Sequence, residues 1–234
     1  MDMSGYGRHP TNSNGVSALN AYGPAWRSDN FGSGTEYLEI SADESWIPTT
    51  ETTIVIGWRK TDATNRNTTA FGVGTGSIDN VSRCGVHLPY GDGTVYWDFG
   101  NTTSGRLSVG GLTFGNDLWV LTTGPRGMEI WQNGYLRASK TASATRTVNG
   151  SLPFSLCRGN GASNASDLAE CWMFRMYNRQ LSRSLIAETF RDPWGLYRHQ
   201  HDEAIGDVAA PSGGGFIDRH FPRGILRGVT RGIA

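Results

Sequence analysis

Lysine, cysteine and charged residues in general are scarce in this chain of 234 residues. The only lysines are Lys60 and Lys140, whereas 19 residues are arginine, and 21 acidic residues balance the basic ones to a formal net charge of zero. A protein whose whole surface binds nucleic acid is strongly basic. Zero net charge therefore excludes that class, although it leaves room for a basic segment within the chain.

The few cysteines and the absence of long apolar runs exclude further classes. Cys84, Cys157 and Cys171 are an odd number without metal-type spacing, so we predict reduced cysteines within strands. No apolar run approaches the roughly 18 residues that a membrane helix needs. The N-terminus lacks a basic region followed by an apolar one, so no secretory signal is predicted. We therefore expect a chain made in a cytosol, with no membrane partner.

Glycine and aromatic residues, by contrast, are abundant. Glycine accounts for 32 residues, about twice its usual share of roughly 7%, and the chain has 8 Trp, 8 Tyr and 9 Phe. This composition is typical of many short strands joined by turns. Residues 52–60 are β-branched and apolar in the middle, which predicts a central strand buried on both faces. Further strands are predicted at 21–26, 36–40, 70–73, 84–88, 94–99, 106–109, 119–123, 128–132, 136–140, 154–158 and 168–177.

One turn between these strands has an explicit signature. Asn133-Gly134 lies between two of the predicted strands. A type I′ hairpin prefers this dipeptide, because both central residues need a positive φ. Many short strands with such turns predict an all-β fold, an antiparallel sandwich of two sheets.

A single short helix is predicted near the C-terminal side of the sandwich. Ser182 can cap its first turn, and the apolar residues Leu185, Ile186 and Phe190 fall on one face. The helix is expected to end before Pro193, because the residue before a proline disfavours helical geometry.

Composition divides the chain into three parts. Residues 1–34 form a polar N-terminal segment or arm, residues 35–198 carry the strand pattern, and residues 199–234 form a linker and a C-terminal arm. Residues 199–217 hold three acids and no base, whereas residues 218–234 hold four arginines and one aspartate. An acidic linker thus leads to a basic tip.

The basic tip repeats the form Arg-Gly-[Ile/Val]-x three times up to the last residue. A spacing of four puts the arginines on one face of an extended chain, whereas three glycines would cost a helix roughly 1 kcal/mol each relative to alanine. An arm this small buries too little surface to order alone, so we predict that it docks on a partner. An unstructured solubilising end is the alternative, and four arginines are a meagre footprint for nucleic acid. The predicted docking residues are Arg219, Arg223, Ile225, Arg227, Val229, Arg231 and Ile233.

Several segments of the middle part form an ordered set of motifs. A pair of strands at 36–40 and 52–61 precedes N-D-L-W-V-L-T at 116–122 and M-E-I-W-Q-N-G-Y-L-R at 128–137. A strand and short helix over 168–188 then lead into F-R-D-P-W-G-L-Y. In this order, the motifs resemble the laminin-G-like, concanavalin A-like lectin/glucanase superfamily, as found in bacteriophage structural proteins. The resemblance implies a jelly-roll sandwich that binds glycans, cleaves β-glucans or serves as a structural module.

The residues that a glucanase would need are missing. A retaining enzyme uses two carboxylates about 5 Å apart, and members of this superfamily take them from a Glu-x-Asp-x-x-Glu strand. The nearest string, at 39–44, has a different spacing, so we predict that the protein is not an enzyme. No Asp-x-Asp loop for calcium is present, and the cluster of His, Asp and Glu at 199–203 is interpreted as a solvated linker. No metal or other cofactor is predicted.

Aromatic residues of the strands are the candidates for stacking on a sugar. Trp58, Trp97 and Trp131 are predicted glycan contacts if their rings are exposed on a concave face, and core residues if they are not. Tyr96 is a further candidate, because neighbouring residues of a strand face opposite sides and either Tyr96 or Trp97 faces outward.

Together these features favour a non-enzymatic virion structural protein of a bacteriophage, made in the host bacterial cytoplasm. Capsid decoration is the expected role, with the arms contacting phage capsid or tail proteins. Copies of the protein are expected to contact one another as well, most simply in a trimer. The alternative is a carbohydrate-binding module of a tail or head fibre that attaches to a cell-surface glycan.

Overall fold

The computed structural model describes residues 12–13, 16–20, 23–28, 37–41, 44–67, 69–73, 81–150, 152–157 and 168–195. The chain divides into two units, residues 1–193 and residues 194–234. Of the second unit only Trp194 and Gly195 are described. The boundaries predicted after residues 34 and 198 stay predictions.

Within the described residues the first unit contains thirteen strands and one helix. The strands are β1 (Asn12–Ser13), β2 (Val16–Asn20), β3 (Gly23–Ser28), β4 (Leu38–Ser41), β5 (Thr52–Lys60), β6 (Phe71–Val73), β7 (Arg83–His87), β8 (Val95–Val109), β9 (Asn116–Gly124), β10 (Gly127–Gln132), β11 (Tyr135–Lys140), β12 (Phe154–Leu156) and β13 (Ala169–Tyr177). The helix is α1 (Arg183–Arg191).

These strands pair into two antiparallel sheets. Among the described strands, sheet A has the order β1-β4-β12-β6-β7-β8, and sheet B has the order β11-β10-β9-β5-β13-β3-β2. Strands far apart in the chain lie side by side, as β5 and β13 do over most of their length. The prediction of an all-β, antiparallel two-sheet sandwich with one short helix is confirmed.

Apolar side chains from both sheets meet between them and form the core. Strand β5 contributes Ile54 and Ile56, while sheet A contributes Phe71 and Phe154, all fully buried. The rings of Phe71 and Phe154 lie 5.8 Å apart between centroids. Burial of β5 from Thr52 to Trp58 confirms the prediction of a central strand covered on both faces.

The three cysteines lie in this core. Cys84, Cys157 and Cys171 are free thiols and all are buried. Cys84 and Cys171 lie in strands β7 and β13, as predicted, whereas Cys157 directly follows β12. Burial raises the pKa of Cys171 to about 12 and raises the pKa of Cys84 still further. A thiol that stays protonated is a poor nucleophile, so these cysteines act as small apolar residues.

The N-terminal segment contributes more strands than the sequence indicated. One strand was predicted there, at 21–26, and β3 corresponds to it. Strand β2 pairs with β3, and β3 pairs with β13, so both extend sheet B. The sequence of β2, Val-Ser-Ala-Leu-Asn, has one β-branched residue and no aromatic one, which explains why propensity alone does not reveal it.

Strand β8 reverses direction along its length, where the sequence predicted two separate strands. Asp98 and Arg106 are eight positions apart, roughly 27 Å in a straight strand, yet Arg106 Nε and Asp98 Oδ1 lie 2.6 Å apart. Between them, Asn101 Oδ1 accepts hydrogen bonds from the backbone N–H groups of Thr103 and Gly105. The reversal brings the second half of β8 back against the first.

The predicted helix and hairpin are both present. Ser182 caps α1 by accepting a hydrogen bond from the Leu185 N–H at 3.3 Å. Asn133 and Gly134 have φ values of 50° and 87°, as a type I′ turn requires. The predicted apolar face is wrong in one residue, because Ile186 is buried whereas Leu185 is 40% exposed. Neighbouring helical residues point about 100° apart, and here Ile186 takes the buried direction while Leu185 lies on the exposed side.

Within the described part of the chain, no helix has the length and apolar character needed to cross a membrane.

Candidate functional site

Two of the three tryptophans predicted to contact a glycan are core residues. Trp58 is 2% exposed and Trp97 is fully buried. Trp97 also donates its indole N–H to the Thr122 carbonyl on β9, at 3.1 Å. Neither ring offers a face to a ligand in this arrangement, so the prediction of sugar stacking at Trp58 and Trp97 does not fit their placement. Both side chains point inward from their strands, and large aromatic rings contribute much of the apolar area that a core buries.

Trp131 lies on sheet B, as Trp58 does, and is partly exposed. It stands on β10, where its indole N–H donates to Glu129 Oε2 at 3.1 Å. Arg183 of α1 donates to the other oxygen of the same carboxylate, at 2.8 Å from Nη2. Trp131 therefore belongs to the contacts between α1 and sheet B, and the three tryptophans do not form one surface.

The predicted docking arm falls outside the described residues. This applies to every residue named for it: Arg219, Arg223, Ile225, Arg227, Val229, Arg231 and Ile233.

A different group of aromatic side chains gathers at the end of β7 and the start of β8. His87, Tyr90 and Tyr96 pack edge to face, with ring centroids 4.9 Å apart for His87 and Tyr90 and 5.9 Å apart for the two tyrosines. His87 is buried, whereas both tyrosines are partly exposed. Alternation along β8 explains this arrangement, because Trp97 points into the core and Tyr96 points outward. Edge-to-face packing is the favoured geometry of aromatic pairs, so the two exposed rings are held in place.

The turn between these strands supplies a carboxylate next to the rings. Asp92 Oδ1 accepts a hydrogen bond from the Thr94 N–H at 2.8 Å, and Oδ2 accepts one from the Tyr96 hydroxyl at 2.6 Å. The hydrogen bond from Tyr96 and then that from Thr94 lower the pKa of Asp92, and the same contact with Asp92 raises the pKa of Tyr96. At neutral pH Asp92 is thus an anion and Tyr96 is a neutral phenol.

A guanidinium group completes the arrangement from the returning half of β8. Arg106 Cζ lies 4.5 Å from the centroid of the Tyr96 ring, within the range of a cation–π contact. Its Nε and Nη2 each donate to one oxygen of Asp98 at 2.6 Å. Asp98 is almost fully buried, and this hydrogen bonding raises the pKa of Arg106. The bidentate pair fixes the guanidinium plane against the ring.

Polar side chains of the preceding loop border the turn. Asn67 Oδ1 lies so close to Gly91 that a Cβ at this glycine would come within 2.2 Å of it. A Cβ at Gly93 would lie 3.1 Å from Asn65 Nδ2. Both asparagines are exposed. Exposed amides therefore border the turn that carries Asp92.

We name the set Tyr90, Asp92, Tyr96 and Arg106 the Tyr96 cluster. Two rigid aromatic rings with a carboxylate, a guanidinium and neighbouring amides can bind a ligand that is apolar on one face and rich in hydroxyls at its edges. The described residues contain no group of three or more His, Cys, Asp or Glu side chains that could hold a metal ion. The cluster is thus suited to binding by contact and hydrogen bonding.

Part of this cluster could be anticipated from the sequence, and part could not. Tyr96 was a candidate, and Asp92-Gly93 marks a turn whose flanking residues must come close together. Tyr90 was missed, although its position on the other side of that turn is a usable signal. Arg106 was missed because its contact depends on the reversal within β8.

Four of the five buried carboxylates among the described residues form ion pairs, and the fifth, Asp117, accepts hydrogen bonds from the Gly115 N–H and the Asn133 side-chain amide. Arg146 contacts Glu44, Arg106 contacts Asp98, Arg183 contacts Glu129 and Arg59 contacts Glu170. A catalytic acid must be within reach of its substrate, whereas each of these four carboxylates is buried against an arginine. That the protein is not an enzyme stays a prediction.

No family model and no curated protein sequence matches this chain. Solved structures do match it at the level of the fold. One is domain 4 of AbnA, an extracellular GH43 arabinanase from Geobacillus stearothermophilus, solved in complex with arabinotriose. Its TM-score is 0.55 at 15% identity, and the match covers 76% of this chain and 81% of that one. The CBM40 of Ruminococcus gnavus IT-sialidase, bound to alpha2,3 sialyllactose, has a TM-score of 0.54 at 16% identity, over 75% and 98%.

A third similar structure is the binding domain of botulinum neurotoxin serotype G. Its TM-score is 0.56 at 13% identity, and the match covers 81% of this chain. This chain spans about half of that structure, 47% of its length. At such identities the likeness shows a shared β-sandwich fold.

Proposed function

We propose that this protein is a carbohydrate-binding module whose ligand lies on the Tyr96 cluster. The observation that carries the proposal is the pair of partly exposed tyrosine rings, which Asp92 and Arg106 hold in place on the outer side of sheet A. Sugars present C–H faces that pack on aromatic rings and hydroxyls that need charged or amide partners. The fold supports the proposal, since domains solved with arabinotriose and with sialyllactose share it.

This proposal follows the alternative that the sequence left open. A virion structural role, with capsid or tail proteins and further copies of the chain as partners, stays a prediction, and no contact among the described residues favours it. The two readings are compatible, because a module that binds glycans can be carried on a larger particle. Fold alone does not choose between them.

Replacing Tyr96 with alanine tests the proposal. The variant Tyr96→Ala should lose about tenfold or more in affinity for the glycan that the wild type binds, or ~1.4 kcal/mol, because the stacking ring and the anchor of Asp92 are both removed. Isothermal titration, with a ligand chosen from a glycan array, measures this loss.

The chain offers a matched control. Tyr135 is 67% exposed on β11 and lies beneath the guanidinium of Arg137, at 5.3 Å, much as Tyr96 lies against Arg106. Tyr135→Ala should leave glycan affinity unchanged. Equal affinities for the wild type and both variants would show that the glycan binds elsewhere, and an array without any bound glycan would reject the function.

A further inference from the structure

The most exposed charged side chain of the Tyr96 cluster is Asp92. Arg106 directs Nε and Nη2 to both oxygens of the buried Asp98, and Arg83 Nη1 reaches the same carboxylate at 3.5 Å. Lys140 donates its Nζ to the Arg106 carbonyl at 2.9 Å and to the Ser104 carbonyl. These cations therefore have partners inside the protein, whereas the Asp92 carboxylate is exposed.

The charged side chains of the neighbouring loop also have partners within the protein. Arg66 Nη2 contacts Asp62 Oδ2 at 2.7 Å, which neutralises that guanidinium. Lys60 donates its Nζ to the Thr64 carbonyl at 2.6 Å and lies 3.4 Å from Asn65 Oδ1. The groups of this loop that remain available beside the rings are amides.

Asp92 is held in a fixed orientation at the surface. Its two oxygens accept hydrogen bonds from the Thr94 N–H and the Tyr96 hydroxyl, one bond on each oxygen, and the Thr94 hydroxyl and the Asp92 N–H also help to lower its pKa. Because the carboxylate is exposed, a hydroxyl of a sugar can approach it from solvent as a further donor.

We infer that the Tyr96 cluster takes a neutral, hydroxyl-rich glycan, with Asp92 as the residue that selects it. The inference rests on the proposed function and names its ligand class. Neighbouring hydroxyls of such a glycan donate to Asp92 while its C–H face packs on the Tyr96 ring. A sugar that carries a carboxylate would instead place like charge beside Asp92, which is unfavourable at a desolvated contact.

A comparison of charged and neutral ligands tests this inference. An array first identifies further neutral ligands. Wild-type protein is then titrated with arabinotriose, lactose and alpha2,3 sialyllactose. The last two form a matched pair, because they differ by one carboxylate-bearing sugar. Neutral glycans should bind, and sialyllactose should bind at least tenfold more weakly than its best neutral counterpart. Tighter binding of sialyllactose, lost in Tyr96→Ala, would overturn this inference and leave the proposed function standing.

The variant Asp92→Asn tests the role of the carboxylate itself. Asparagine retains the side-chain acceptor for Thr94 and suits the turn, so the fold should be kept, as an unchanged unfolding midpoint would confirm. Affinity for the neutral glycan should fall about tenfold, and discrimination against sialyllactose should shrink. Neutral-glycan affinity within twofold of the wild type would overturn the inference. If neither Asp92→Asn nor Tyr96→Ala lowered the affinity for the glycan, the proposed function would be rejected as well.

Discussion

At the scale of single residues, one fully buried ion pair also makes several hydrogen bonds to the backbone. Arg146 and Glu44 contact each other with both side chains fully buried. Arg146 also donates to the Ser82 and Ile47 carbonyls, while Glu44 accepts from the Asn149 N–H at 2.5 Å. Burial lowers the pKa of Arg146 to about 10, which is still far above neutral pH. Arg146 is therefore charged at neutral pH, and the pair links the segments that contain Ile47, Ser82 and Asn149.

Breaking this pair from one side should destabilise the protein strongly. Arg146→Met leaves the Glu44 charge buried without its partner, and we expect a loss of roughly 3–5 kcal/mol in the free energy of unfolding. Urea denaturation followed by tryptophan fluorescence measures the change.

The double variant Glu44→Leu with Arg146→Met is the control. It removes both charges, so it should recover part of the lost stability. A single variant within about 1 kcal/mol of the wild type would show that the pair is not held as described.

At the scale of elements, helix α1 is fastened to sheet B by one buried side chain and one ion pair. Ile186 is fully buried, and Arg183 Nη2 lies 2.8 Å from Glu129 Oε1. Because Arg183 is largely exposed, the ion pair adds little stability by itself. The apolar contact of Ile186 is therefore expected to dominate.

Two neighbouring substitutions separate these contributions. Ile186→Ala should cost about 2–5 kcal/mol, as deletions from a buried site do, whereas Leu185→Ala should stay within about 0.5 kcal/mol of the wild type. Thermal or urea unfolding of both variants compares them directly. Similar losses in the two variants would contradict the placement of α1 on the sheet.

The elements also show what sequence alone reveals. The central strand β5, the cap at Ser182 and the hairpin at Asn133-Gly134 follow from local patterns, and all three are present. The Tyr96 cluster depends on long-range geometry, because Arg106 reaches Tyr96 only after β8 reverses. The burial of Trp58 and Trp97 likewise depends on how the two sheets pack. Because a tryptophan ring suits either a core or a surface, the periodicity of the strand does not show which of the two it occupies.

At the scale of the whole molecule, the proposed ligand site lies in the sandwich, whereas the predicted partner contacts lie in the arms. The acidic linker and the Arg-Gly tip remain predictions from the sequence, as do the trimer and the place in a virion. The described contacts of the Tyr96 cluster come from residues 65–140, outside both predicted arms. Ligand binding and self-association should therefore be separable.

A truncation tests that separation. A chain that ends at residue 198 should fold, keep its glycan affinity within about twofold and be monomeric, whereas the full chain should form an oligomer. Light scattering after gel filtration gives the mass of each. An oligomer of the same mass in both chains would show that the arm does not drive assembly.

The most direct test of the central claim is to locate the bound glycan by NMR. A neutral oligosaccharide is titrated into labelled protein, and chemical-shift changes are mapped onto the sequence. The account predicts that the changes concentrate at residues 65–67, 87–96 and 106. Changes concentrated around Trp131 and Tyr135 instead, with Tyr96 unaffected, would contradict it.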